Sequence, residues 1–129
     1  MRQSNTMRNR KESITKDLKF NYDPLNDLLY VYKENSSVYS NVMIGEFHLD
    51  FNKKSELVGI EIVNASQILG EYDIPEEFLE SIKKIDVKVV TRGNSILIFM
   101  MISSLSQTKS ATITLNNLEA PIMAEIAKA

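Results

Sequence analysis

Phe20-Asn21-Tyr22-Asp23-Pro24-Leu25-Asn26-Asp27-Leu28-Leu29-Tyr30-Val31-Tyr32 frames the reading of the whole chain. Residues 19–22 and 28–33 are short runs rich in aromatic and β-branched side chains, and a cluster of turn formers separates them. Pro24 presets the backbone for the second position of a tight turn, and the Asp23 carboxylate can close that turn. Asp27 stands where the chain enters the second strand and can receive backbone N–H groups. Alternation puts Leu29 and Val31 on one face and Leu28, Tyr30 and Tyr32 on the other. The stretch predicts a β-hairpin.

Farther along, residues 42–51 and 57–64 predict a second hairpin around the polar loop Asn52-Lys53-Lys54-Ser55-Glu56. In its first strand Gly45, Phe47, Leu49 and Phe51 are expected on one face, with Glu46, His48 and Asp50 on the other. Val58, Ile60 and Ile62 form the matching apolar stripe, opposite Gly59 and Glu61. A helix is expected over 75–84. Asp73 is the candidate N-cap, Pro75 lies in the first turn, and Ile74, Phe78, Leu79, Ile82 and Ile85 recur at helical spacing. A shorter helical turn is expected at 65–69. Residues 87–91 and 95–103 predict strands around the tight turn Arg92-Gly93-Asn94, followed by a strand at 111–115 and a terminal helix over 120–127. The fold class expected is α+β. Antiparallel hairpins form a sheet packed by one central helix, with a strand-rich C-terminal extension.

Composition bounds the function. A chain of 129 residues with 43% apolar content is enough for one core and one domain, taken as 19–129. Zero cysteines exclude disulfides, thiolate metal sites and thiol nucleophiles. The longest apolar run, Ile96-Leu97-Ile98-Phe99-Met100-Met101-Ile102, has seven residues. A membrane-spanning helix needs about 20. No apolar segment follows the N-terminal charges, so no signal peptide is expected, and a cytoplasmic location is.

Charge is unevenly placed. Residues 1–19 carry six basic and two acidic side chains, a net +4, whereas the rest carries nine basic and fifteen acidic ones, a net −6. Residues 1–18 are expected to be a flexible basic arm, with Met7 as an alternative start. A body of that sign repels phosphates, so nucleic acid is not an expected partner.

Residues 19–32, together with Gly45-Glu46-Phe47-His48-Leu49-Asp50 and Leu57-Val58-Gly59-Ile60-Glu61-Ile62-Val63-Asn64-Ala65-Ser66, resemble the uncharacterised family known as domain of unknown function 2283. Its hallmark is a tyrosine-aspartate-proline turn, an aspartate three residues on, then leucine-tyrosine, and later a valine-glycine-isoleucine-glutamate strand running into alanine-serine. Tyr22, Asp23, Pro24, Asp27, Leu29, Tyr30, Gly59, Ile60, Glu61, Ala65 and Ser66 occupy those positions. The resemblance covers roughly residues 19–69, about two fifths of the chain, taken as the family core of the domain. The chain departs from the family at Lys53-Lys54-Ser55-Glu56, where a turn glycine is usual. The family implies a fold and little chemistry; gene arrangement links some members to small ribonuclease-type toxins, which implies an antitoxin-like binding role.

Two acidic groups could carry chemistry. Glu46, His48 and Asp50 share a strand face, and Glu61 joins them if the hairpin register allows. An imidazole among carboxylates can bind a divalent metal or act as an acid/base pair, as in a small metal-dependent hydrolase or ligand-binding protein. The alternative is the solvated face of an amphipathic strand, and one histidine falls short of the three protein ligands of a catalytic zinc site. Asp23 and Asp27 could hold a cation, yet both have turn-capping roles. Tyr22, Tyr30, Tyr32 and Tyr39 gather around the first hairpin and could line a groove. No phosphate loop, dinucleotide fingerprint or nucleophile elbow occurs, so no cofactor is expected. The run at 96–102, apolar on both faces, argues for a homo-oligomer, with a dimer expected. The expectation is a non-enzymatic protein-interaction module that self-associates, the hydrolase or ligand binder being the alternative.

Overall fold

A computed structural model describes residues 10–15 and 18–116. It contains nine strands and two short helices. These are β1 (Arg10–Thr15), β2 (Leu18–Asp23), β3 (Leu28–Lys33), β4 (Ser40–Ile44), β5 (Phe47–Phe51), β6 (Leu57–Val63), α1 (Ala65–Gly70), α2 (Glu76–Leu79), β7 (Lys84–Arg92), β8 (Ser95–Ser103) and β9 (Thr108–Leu115). The strands form a five-stranded sheet, β2-β3-β6-β5-β4, and a four-stranded sheet, β1-β7-β8-β9. Every pairing among them is antiparallel. Side chains from both sheets and both helices join in one apolar cluster, with Leu29, Ile62, Leu69, Ile74, Ile96, Ile98 and Ile102 completely enclosed. No polar or charged residue among those described is buried in it.

The first hairpin forms as expected, and Asp23 builds its turn. One Asp23 carboxylate oxygen accepts the Leu25 and Asn26 N–H groups at 3.0 and 3.2 Å, and the other accepts the Asn26 side-chain amide at 2.8 Å. These bonds, led by the one from the Asn26 side chain, hold the Asp23 carboxyl below its ordinary range.

Three expectations are corrected. The strand expected over 42–51 is itself a hairpin, because Gly45 adopts φ +57° and turns the chain between β4 and β5. A positive φ at the first turn position alone is the pattern of a type II′ turn. Buried residues accordingly change phase, from Val42 and Ile44 to Phe47, Leu49 and Phe51. The ten-residue central helix is absent, and two short helices stand at 65–70 and 76–79. The Ser81 hydroxyl bonds to the carbonyls of Glu77 and Phe78, and at Lys83 the backbone turns to Ser103, so β7 takes over where a third helical turn would form. The sheets are also not a family core with a strand-rich extension, since residues 10–15, within the expected N-terminal arm, pair as β1 with β7. Residues 1–9 and the terminal helix expected over 120–127 lie outside the described residues.

The loop that departs from the family is closed by side chains. The Asn52 carbonyl oxygen accepts the N–H groups of Lys54 and Glu56, both at 2.9 Å, and its amide donates to the Glu56 carboxylate at 2.8 Å. Ser55 takes φ +62°, a left-handed position that costs a non-glycine residue about 1 kcal/mol. Ser55→Gly is therefore expected to raise stability by up to about 1 kcal/mol, less the added freedom of the unfolded chain. Chemical denaturation of the two proteins measures the difference, and a clear loss of stability contradicts the loop reading.

Candidate functional site

The five-stranded sheet has one face in the core and one turned outward. On the outward face, β5 and β6 pair with His48 opposite Glu61 and Asp50 opposite Gly59, while β3 sets Tyr30 opposite Glu61 and Tyr32 opposite Gly59. The register therefore places Glu61 beside His48. The His48 Nδ1 atom lies 3.2 Å from a Glu61 carboxylate oxygen, and each side chain is about one third exposed, at 29% and 33%.

Asp50 belongs to a different pair. The Tyr30 hydroxyl crosses β6 and donates to Asp50 Oδ2 at 2.9 Å. The crossing needs a residue without a Cβ beneath it. A Cβ at Gly59 would lie 2.9 Å from both the Tyr30 hydroxyl and Asp50 Oδ2, and 3.2 Å from a Tyr30 ring carbon. The glycine of the family strand is thus the floor under Tyr30. Tyr32 stacks on Tyr30 with ring centroids 5.0 Å apart and planes 18° from parallel. Burial foremost, then the hydrogen bond to Asp50 and the nearby charges of Asp50 and Glu61, push the Tyr30 hydroxyl up to about 12.

Glu46 separates from this group. It occupies the β4–β5 turn, exposed, and its carbonyl accepts the Val63 N–H at 2.9 Å. Among the described residues, no three His, Asp or Glu side chains are placed to hold a metal ion. One cleft of about 370 Å³ opens beside Phe20, Tyr22 and Leu79, and another of about 440 Å³ opens between the loops at 35–39 and 52–56. His48, Asp50 and Glu61 line neither.

Asp27 forms a second network, on which the sequence reading had only half the partners. It sits at φ +55° and accepts hydrogen bonds from the Tyr22 hydroxyl at 2.7 Å, the Ser66 N–H at 2.9 Å and the Ser66 hydroxyl at 2.8 Å. Its own carbonyl takes the Ala65 N–H at 3.0 Å. Helix α1 has no cap from its own preceding residue, since Asn64 makes no side-chain bond there. Asp27 caps it from the other hairpin. Burial works to raise the Asp27 pKa, but the bonds from Tyr22 and Ser66 outweigh it and hold the carboxyl below the usual aspartate range. Tyr22 moves the other way, raised first by burial and then by its bond to Asp27. Tyr39 stands apart, largely exposed.

The residues that mark the sequence thus sort into a lock, Tyr22-Asp27-Ser66, and a face, Tyr30-Gly59-Asp50 beside His48-Glu61. Together they define a small two-sheet antiparallel β protein with an open aromatic and acidic sheet face. The family model described as protein of unknown function (DUF2283) matches residues 19–66, and the chain belongs to this family. It is 33% identical over 78 residues to an uncharacterised protein of Methanocaldococcus jannaschii, spanning 57% of this chain and 67% of that one. It is 25% identical over 118 residues to a Methanosarcina mazei protein that carries the provisional name hypoxanthine phosphoribosyltransferase, spanning 88% of this chain and 92% of that one. No solved structure matches. Among the described residues no helix is long and apolar enough to cross a membrane.

Proposed function

We propose that this chain is a non-enzymatic protein-interaction module that works as a homodimer. The observation that carries the reading is the outer face of β8. Ile96, Ile98, Met100 and Ile102 are buried at 0–1% exposure, whereas Phe99 is 36% exposed and Met101 48%. Leu97 continues the outer stripe, half-buried. One face of the apolar run is used in the core, and the other is presented outward. An apolar stripe on a regular sheet is self-complementary about a two-fold axis, the commonest symmetry of soluble oligomers. An antitoxin-like role is one form such a module can take.

The histidine face supports the same reading. His48 meets one carboxylate on an open sheet, where acid/base chemistry would call for a positioned substrate and an enclosed site. The transferase name of the Methanosarcina mazei relative finds no support here. Nucleotide phosphates are gathered at helix N-termini behind parallel strands, and the described strands pair only antiparallel.

Sedimentation equilibrium tests the proposal. The wild-type protein is expected to form a dimer, and Phe99→Ser with Met101→Ser is expected to yield a folded monomer. A wild-type protein that stays monomeric across the concentration series removes the reading.

A further inference from the structure

We infer that the outer face of the five-stranded sheet is a docking site for an arginine side chain of a protein partner, held by Asp50 and Glu61 beside the Tyr30 ring. The inference rests on the interaction-module reading and names the partner's chemistry at a second surface, on the sheet opposite the apolar stripe of β8.

Each carboxylate has spent one oxygen and kept the other. Asp50 Oδ2 accepts the Tyr30 hydroxyl and Glu61 Oε1 faces His48, while Asp50 Oδ1 and Glu61 Oε2 have no partner among the described residues. The two residues are diagonal neighbours on β5 and β6, a relation that sets side chains roughly 7–8 Å apart at their roots. Both charges bear on the Tyr30 hydroxyl, so the ring lies within the field of both. The guanidinium group has five N–H donors in a flat fork, matching two acceptors and an adjoining aromatic ring. Lysine offers a compact charge without the plane that stacks on tyrosine.

The local charge balance points the same way. Lys19, opposite Tyr32 on the same face, is drawn to Glu34 at 3.8 Å and leaves Asp50 and Glu61 uncompensated by it. Phosphate-bearing partners are repelled by the pair, whereas cationic segments are steered toward it. Tyr30 and Tyr32 are already stacked and Tyr30 is tied to Asp50, so binding costs little side-chain ordering. Gly59 keeps the floor low enough for this arrangement to persist.

The test uses the full chain and acetyl-arginine amide as probe, followed by amide chemical shifts at constant ionic strength. Shifts are expected at residues 30, 32, 50, 59 and 61, with acetyl-lysine amide several-fold weaker. Asp50→Asn and Glu61→Gln should each weaken the response roughly tenfold, the loss of one charge-assisted hydrogen bond, and the double variant should abolish it. Thermal melting shows that the variants remain folded. An unchanged response in the double variant, equal binding of the lysine probe, or no response in the wild type overturns the inference. The Phe99→Ser, Met101→Ser protein separates the two proposals. Arginine binding that persists in its monomer supports this site, whereas a wild-type dimer blind to arginine loses this inference and keeps the first.

Discussion

Asp27→Ala is expected to cost about 3–4 kcal/mol and to lower the melting temperature by roughly 10 °C. The carboxylate receives three hydrogen bonds from two distant parts of the chain, at 2.7, 2.9 and 2.8 Å. Its loss strands the Tyr22 hydroxyl and the Ser66 N–H and uncaps α1, whose other first-turn donor is held by the Asp27 carbonyl. Alanine adds about 1 kcal/mol because φ at this position is +55°. Asp27→Gly carries the side-chain loss without that strain, so the glycine variant should be the more stable of the two. Asp27→Asn keeps the left-handed backbone and one acceptor oxygen, and isolates the charge.

The charge has a pH signature whose sign follows from the depressed pKa of Asp27 in the folded state. A depressed carboxyl stabilises the fold fully above its unfolded pKa of about 4, and that stabilisation is lost as pH falls through the folded value. The stability gap between wild type and Asp27→Asn should be constant near neutral pH and close on acidification. Urea titrations across pH measure it, and a gap that widens in acid contradicts the lock.

The sequence is most legible where a side chain's neighbours are local. The Asp23 turn, the alternation of β3 and β6 and the Arg92-Gly93-Asn94 turn all follow from residues within a few positions of one another. The break between β4 and β5 was visible as a change of phase, because Val42 and Ile44 cannot share a face of one strand with Phe47 and Leu49. The central helix misled for a different reason. Ile74, Phe78, Leu79, Ile82 and Ile85 are all buried, as helical spacing requires, but only residues 76–79 are helical. The remaining positions belong to a loop and to β7, and five buried residues are too few to separate the two periods.

The candidate site was half legible for the same reason. His48 and Asp50 share a face by alternation alone, and Glu61 needed the register. The pairing of Tyr30 with Asp50 spans three strands, so it depends on strand order as well as register. Its sequence trace is Gly59, whose purpose appears only once Tyr30 lies across it. The Asp27–Ser66 link joins positions 39 apart, and the trace of that contact was the pairing of a turn aspartate with a serine in the first turn of a helix that has no cap of its own.

Ile98→Ala and Phe99→Ala, adjacent in the longest apolar run, should differ by several kcal/mol. Ile98 is fully enclosed, so its truncation removes transfer energy and leaves a cavity, at about 3–4 kcal/mol. Phe99 is 36% exposed on the outward face, across from Lys88 on β7 and Thr112 on β9. Its truncation should cost the isolated chain less than about 1 kcal/mol. Concentration then separates fold from assembly. A dimer held through Phe99 makes the wild-type melting temperature rise with protein concentration, and Phe99→Ala should flatten that dependence while Ile98→Ala leaves its slope intact. Equal losses in the two variants at the lowest concentration would mean that both faces of β8 are covered within one chain, and the outward stripe would no longer be available to a second copy.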